Sequence, residues 1–157
     1  MKRGTALTLG AVLWLGGCDL ITGPDELERL DDARTRWALQ GSQAYSYEVR
    51  RTCYCGYPAG AWTRVEVRDH AAVAAWDLET GEPLPGTLLP SLPTIERLFV
   101  MAGEMIAGAD HYRIRYDPTL GYPMEIFVDW IAQGVDDEVY ITAREVIALP
   151  QGAGPVR

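Results

Sequence analysis

The stretch Tyr45-Ser46-Tyr47-Glu48-Val49-Arg50 alternates strictly. Side chains of an extended strand point to opposite faces in turn, so Tyr45, Tyr47 and Val49 share one side and Ser46, Glu48 and Arg50 the other. The pattern predicts a strand over 44–52 with one buried face and one wetted face. A faint echo stands at His111-Tyr112-Arg113-Ile114-Arg115-Tyr116, with Tyr112, Ile114 and Tyr116 inward in a strand over 110–117. Working outward, Trp62 to Asp69 reads as a strand with Val65 and Val67 inward and Arg64, Glu66 and Arg68 outward. Ala72 to Asp77 is a shorter one. Residues 122–131 place Met124, Ile126, Val128 and Trp130 on one face, and 138–148 complete a set of six.

A helix precedes each group of three strands. Leu27, Leu30, Arg34 and Trp37 recur at helical spacing, with acids early and arginines later, which suits the helix dipole. The expectation is a helix over 25–40, started by a Thr22/Asp25 capping box with Pro24 in its first turn and ended by Gly41. Thr94 is placed to cap a second helix, whose apolar stripe is Ile95, Leu98, Phe99, Ala102, Met105 and Ile106, closed by Gly108. Thr80 to Pro93 holds Gly81, Pro83, Pro85, Gly86, Pro90 and Pro93 and reads as a loop. The order is helix, three strands, helix, three strands. The fold class that follows is α+β: two αβββ repeats, near 25–77 and 94–148, with two helices packed on one face of an antiparallel six-stranded sheet. The other face stays partly solvated, as its arginines and glutamates require. Such an arrangement resembles repeat-built α+β modules of secreted inhibitors and envelope assembly proteins, a likeness that carries no function.

The N-terminus has a separate meaning. Met1-Lys2-Arg3 is basic, and Gly4 to Gly17 is an uncharged, largely apolar run. At about 14 residues it falls short of the ~20 that a membrane-spanning helix needs. A basic cap, a short apolar run and small residues before a cut site make a secretory signal. Leu15-Gly16-Gly17-Cys18 resembles a bacterial lipobox, in which Cys18 receives diacylglycerol and the signal is removed before it. The expected organisation is a signal peptide at 1–17, a lipidated cysteine and short tether at 18–24, one domain at 25–149 and a Gly/Pro-rich tail at 150–157. The alternatives are an ordinary cleaved signal with an incidental cysteine, and an uncleaved short anchor. Two or three acyl chains hold a protein to a bilayer without spanning it. The location implied is the extracytoplasmic side of the cell envelope. Asp19 resembles the inner-membrane retention signal of some Gram-negative lipoproteins, which leaves the choice of membrane open.

The 157 residues carry a formal net charge of −8, and removal of Lys2 and Arg3 leaves about −10. A chain this acidic is repelled by phosphate backbones and by anionic lipid, so no nucleic-acid partner is expected and the acyl chains do the membrane work. Chemistry-bearing residues are few. Cys53 and Cys55 lie outside the cytosol on this reading, where thiols oxidise. A C-x-C disulfide around Tyr54 that stiffens a turn is the plain reading; a redox role, free thiols and intermolecular pairing are the alternatives. Cys53, Cys55, His70 and His111 do not have zinc-finger spacing, so no metal site and no cofactor is expected. Asp136, Asp137 and Glu138, with Asp129, read as a solvated turn; a cation-binding or partner-binding loop is the alternative, although the calcium-loop pattern is missing. Tyr116-Asp117-Pro118-Thr119-Leu120-Gly121-Tyr122-Pro123 reads as a hairpin turn, with Asp-Pro opening it and Gly121 free to take positive φ. Its aromatics, with Tyr54 and Tyr57, are the alternative binding edge. There is no nucleophile elbow, metalloprotease helix or P-loop, and no catalytic residue is assigned.

Taken together, Tyr45-Ser46-Tyr47, Cys53-x-Cys55, Val65-x-Val67, Phe99, Tyr116-Asp117-Pro118-x-x-Gly121-Tyr122-Pro123, Asp129 and Asp136-Asp137-Glu138 resemble an uncharacterised family of bacterial envelope lipoproteins. The resemblance runs from about 36 to 148. Asp69-His70-Ala71 departs from it, since the family has an acidic or amide residue followed by glycine there. The resemblance implies a secreted, usually lipid-anchored domain of unknown function and supplies no catalytic residues. The expected function is a non-enzymatic module that binds an envelope protein or peptide through a sheet face or the aromatic turns. The alternatives are a redox or other enzymatic accessory using Cys53 and Cys55, and a cation-binding protein using the acidic loop. Oligomeric state is left open.

Overall fold

The computed structural model describes residues 25–56 and 58–150. The signal, Cys18, the tether, Thr22 of the expected capping box, Tyr57 and the last seven residues of the tail lie outside the described residues. The elements run α1 (Glu26–Gln40), β1 (Ala44–Thr52), β2 (Thr63–Arg68), β3 (Ala71–Asp77), α2 (Ile95–Gly108), β4 (His111–Tyr116), β5 (Pro123–Asp129) and β6 (Val139–Ala148). All strand pairings are antiparallel, and the sheet order is β3-β2-β1-β6-β5-β4. The first strand of the chain therefore pairs with the last, and β3 and β4 form the edges. The α+β architecture is as the sequence predicts. The strand order joins the two halves first strand to last, an arrangement that does not establish two copies of one unit.

Both helices pack into one core with the inward sheet residues. Leu30, Ala33 and Trp37 of α1 and Ile95, Leu98, Phe99, Ala102 and Met105 of α2 are buried there. Tyr45, Tyr47, Val49, Val65, Val67, Ile126, Val128, Ile141 and Ala143 face them from the sheet. Fully burying one such side chain stabilises the fold by about 1.5–3 kcal/mol before entropy is counted. Trp37 meets Tyr45 edge-on at 5.3 Å between ring centres, and Phe99 stacks on Tyr116 at 6.5 Å.

Local details differ from the sequence expectations for identifiable reasons. Asp25 itself caps α1, its Oδ1 accepting from the Glu28 N–H at 2.7 Å. Gly108 is the last residue of α2 rather than its stop; Ala109 ends the helix in extended geometry. The Thr80–Pro93 loop contains a short 3-10 turn, Gly86–Ser91, and delivers Leu84 and Leu92 to the core. β5 ends at Asp129, so Trp130 leaves the inward series and is part-exposed. Asp69 (φ 48°) and His70 (φ 64°) form the two-residue β2–β3 turn with both residues left-handed, a geometry that glycine would adopt with less strain. Glu145 (φ 53°) marks a bulge in β6 opposite the Ser46–Glu48 step of β1. Among the described residues no helix is long and apolar enough to cross a membrane.

Candidate functional site

With the helices on the inner side, the outward residues of the six strands share one face. The register aligns them in rows. Arg144 on β6, Glu48 on β1, Arg64 on β2 and Trp76 on β3 form one row. Arg115, Glu125, Thr142 and Arg50 form the next, and Arg113, Phe127, Tyr140 and Thr52 a third. The alternation of Tyr45 to Arg50 places Glu48 and Arg50 here for the same reason that it buries Tyr45 and Tyr47.

Glu48 is the anchor of this face. It is only 8% exposed. Arg64 Nη2 donates to its Oε1 at 3.0 Å and Arg144 Nε to its Oε2 at 2.9 Å. Burial by itself pushes the Glu48 pKa up; the two guanidinium hydrogen bonds and their charges outweigh it and hold the carboxyl below the usual range. Trp62, just before β2, braces the same cluster, with the Arg144 guanidinium 3.8 Å and that of Arg50 4.9 Å from its ring centre. A second cluster lies on β4, β5 and β6. Arg115 Nη1 donates to Glu125 Oε2 at 2.8 Å, and Arg113 Nη2 lies 3.7 Å from Glu125 Oε1. Arg113 also sits over the Phe127 ring and donates to the Tyr140 hydroxyl, while Phe127 and Tyr140 meet at 5.1 Å. Within these two clusters five arginines thus stand against two glutamates, in a chain whose net charge is −8. Four of the five are 50–62% exposed at the side chain, and Arg50 is exposed as well.

The residues singled out from sequence fall elsewhere. Cys53 and Cys55 are joined as a disulfide with Cα atoms 5.2 Å apart, at the far end of the β1–β2 hairpin. Tyr54, between them, is 86% exposed. Beside them opens a cleft of about 210 Å³, walled by Cys55, Pro58, Leu92 and Pro93, with Val49 and Thr63 as its floor. In the turn, Asp117 Oδ1 accepts from Thr119 N–H at 2.9 Å and Leu120 N–H at 2.6 Å, and Gly121 (φ 84°) closes it. Tyr122 and Pro123 are buried, with Tyr122 6.4 Å edge-on from Trp37, and Tyr116 is half-buried against Phe99. Only the tip of this turn is surface; its aromatics belong to the core. Asp137 Oδ2 accepts from the Ile131 N–H at 2.8 Å, so it closes its own loop, while Asp136 and Glu138 are not drawn into a common site. Among the described residues no group of three or more His, Cys, Asp or Glu side chains is placed to hold a metal ion.

Sequence reasoning missed Trp62, Phe127 and Tyr140 as members of the outer face. Strand parity was the available signal for two of them: Phe127 alternates with Ile126 and Val128. It also missed a part-buried polar node at the start of α2. Trp37 Nε1 and the Tyr45 hydroxyl donate to the two Glu96 oxygens at 3.1 and 3.0 Å, and the Ile95 N–H donates to Tyr45 at 2.8 Å. These residues are too far apart in the chain for spacing to reveal the contact.

A family model described as a family of unknown function, DUF6174, matches residues 29–148. The chain belongs to this family. The DUF6174 match takes in all six strands, α2 and most of α1, so both arginine clusters, the disulfide and the Asp117 turn lie inside it. No curated protein and no solved structure matches the chain.

Proposed function

We propose that this DUF6174 protein is a lipid-anchored module of the bacterial cell envelope, held at the extracytoplasmic membrane surface through Cys18, that binds an envelope protein and performs no chemistry of its own. The basic cap, short apolar run and Leu15-Gly16-Gly17-Cys18 support the anchor. One observation carries the binding role: the outer face of the sheet, lined by arginines braced on aromatic rings, is left open by helices packed on the other side. Arginine and aromatic side chains are the residues that dominate protein interfaces. The first test is affinity capture from cross-linked membranes with the intact lipoprotein as bait, repeated with a variant charge-reversed on this face. A partner captured by the native protein and lost with the variant supports the reading. A native bait that enriches nothing, or a Cys18→Ser variant that stays with the membrane fraction, refutes the corresponding half of it.

A further inference from the structure

The outer face also indicates what kind of partner it takes, and this inference rests on the binding role proposed above. We infer that the face docks an acidic polypeptide segment, one that presents spaced carboxylates rather than a continuous polyanion. Arg50, Arg64, Arg113, Arg115 and Arg144 lie on this face with Arg68, six cations set against the four carboxylates of Glu48, Glu66, Glu125 and Asp129. The patch is therefore net positive on a protein of net charge −8. Every one of these cations is arginine, whose planar fork matches a carboxylate in two-point fashion.

The guanidinium groups are also preorganised. Arg144 and Arg50 lie over Trp62, and Arg113 lies over Phe127. Arg64 and Arg144 are each fixed by one hydrogen bond to Glu48, which leaves their remaining donors for a partner. Arg50 has no carboxylate partner among the described residues. Holding a long side chain in place beforehand lowers the entropy lost on binding.

The arrangement discriminates among anions. Glu48 stands between Arg64 and Arg144 of the neighbouring strands, and Glu125 lies opposite Arg115 and beside Arg113 on β4. A dense chain of phosphates laid across the rows meets both carboxylates, whereas separated carboxylates sit over the arginines and avoid them. Beyond about 8 Å, the Debye length at physiological salt, exposed charges are largely screened. A short acidic segment therefore senses the patch. A phosphate polymer or an anionic bilayer extends past it and meets the rest of an acidic molecule.

The test uses the full-length lipoprotein in neutral detergent micelles, with three immobilised probes: poly-L-glutamate, heparin and anionic phospholipid vesicles. Binding to poly-L-glutamate above the other two, weakening as salt rises, is expected. The double variant R50E/R113E is expected to weaken it by about tenfold or more, since charges across an interface set recognition. The variant R29E/R97E makes the same change in net charge on the helices and is expected to bind like the native protein. Circular dichroism on each variant establishes that the fold is kept. Preference for heparin or for vesicles, or equal loss of binding in the two double variants, overturns the inference. A membrane partner captured through this face by a salt-insensitive contact overturns it too, and leaves the binding role itself standing.

Discussion

Replacing Gly121 by alanine tests how the Asp117 turn is seated on α1. Gly121 has φ 84°, and a Cβ built there falls 2.4 Å from the Ala33 carbonyl oxygen and 2.9 Å from Arg36 Cβ. Two costs follow. The left-handed backbone costs a non-glycine residue about 1–2 kcal/mol. The steric conflict is with helix backbone, which cannot rotate away, and overpacking of this kind costs about 1–3 kcal/mol. The lower entropy of the unfolded alanine chain returns about 0.4–1 kcal/mol. A net loss of about 2–4 kcal/mol is expected, a large share of the 5–15 kcal/mol that holds a typical domain together. Gly81 is the matched control: its φ is 75°, and a Cβ there meets nothing within 4 Å. G81A carries the backbone cost alone, about 1 kcal/mol. Equilibrium urea unfolding, followed by tryptophan fluorescence, measures both, since Trp37 packs edge-on against Tyr122 next to the substituted glycine. If G121A falls within about 0.5 kcal/mol of G81A, close seating of the turn on α1 is not what the glycine provides.

Further outcomes are expected from the ionisable groups. Glu48→Gln is expected to destabilise the protein at neutral pH by about 1–3 kcal/mol, the cost of breaking hydrogen bonds to a partly buried charge. Because the native pKa of Glu48 is lowered, its stabilising contribution is present above the unfolded value near 4.3 and is lost as pH falls through the native value. The native and E48Q stabilities should therefore converge in acid; a gap that persists at low pH would contradict the assignment. The phenols of Tyr45, Tyr47 and Tyr122 are pushed above their ordinary value chiefly by burial, and that of Tyr116 to about 12 for the same reason. Their contribution is whole below the unfolded pKa near 10 and is lost as pH rises through the native values. Phenolate absorbance should rise in two stages, the second coinciding with loss of structure by circular dichroism. A single stage with the fold intact would show that these hydroxyls are solvated.

The period-two alternation of 44–50 and 111–116 and the stripe of α2 were readable because a strand or helix that buries one face must repeat its apolar residues at that face's spacing. The outward positions of Arg64, Glu66 and Arg68 were readable for the same reason. Boundaries set by a single hydrogen bond were not. Ala109 rather than Gly108 ends α2, because backbone geometry chooses between adjacent candidates. The Tyr116–Pro123 run was legible as a turn and illegible as a contact. Whether Tyr122 faces solvent or Trp37 depends on where α1 lies, 80-odd residues earlier in the chain.

The sequence by itself determined the element types, the parity of each strand, the family likeness and the arginine-rich character of the outward positions, all of them properties of neighbours along the chain. Only the tertiary structure decided that β1 pairs with β6. That pairing brings Arg144 within a hydrogen bond of Glu48, 96 residues away. It merges the arginines of two hairpins into one face. The physical reason is that strand order is set by how two apolar faces close over a common core, and local sequence spacing carries no record of that closure.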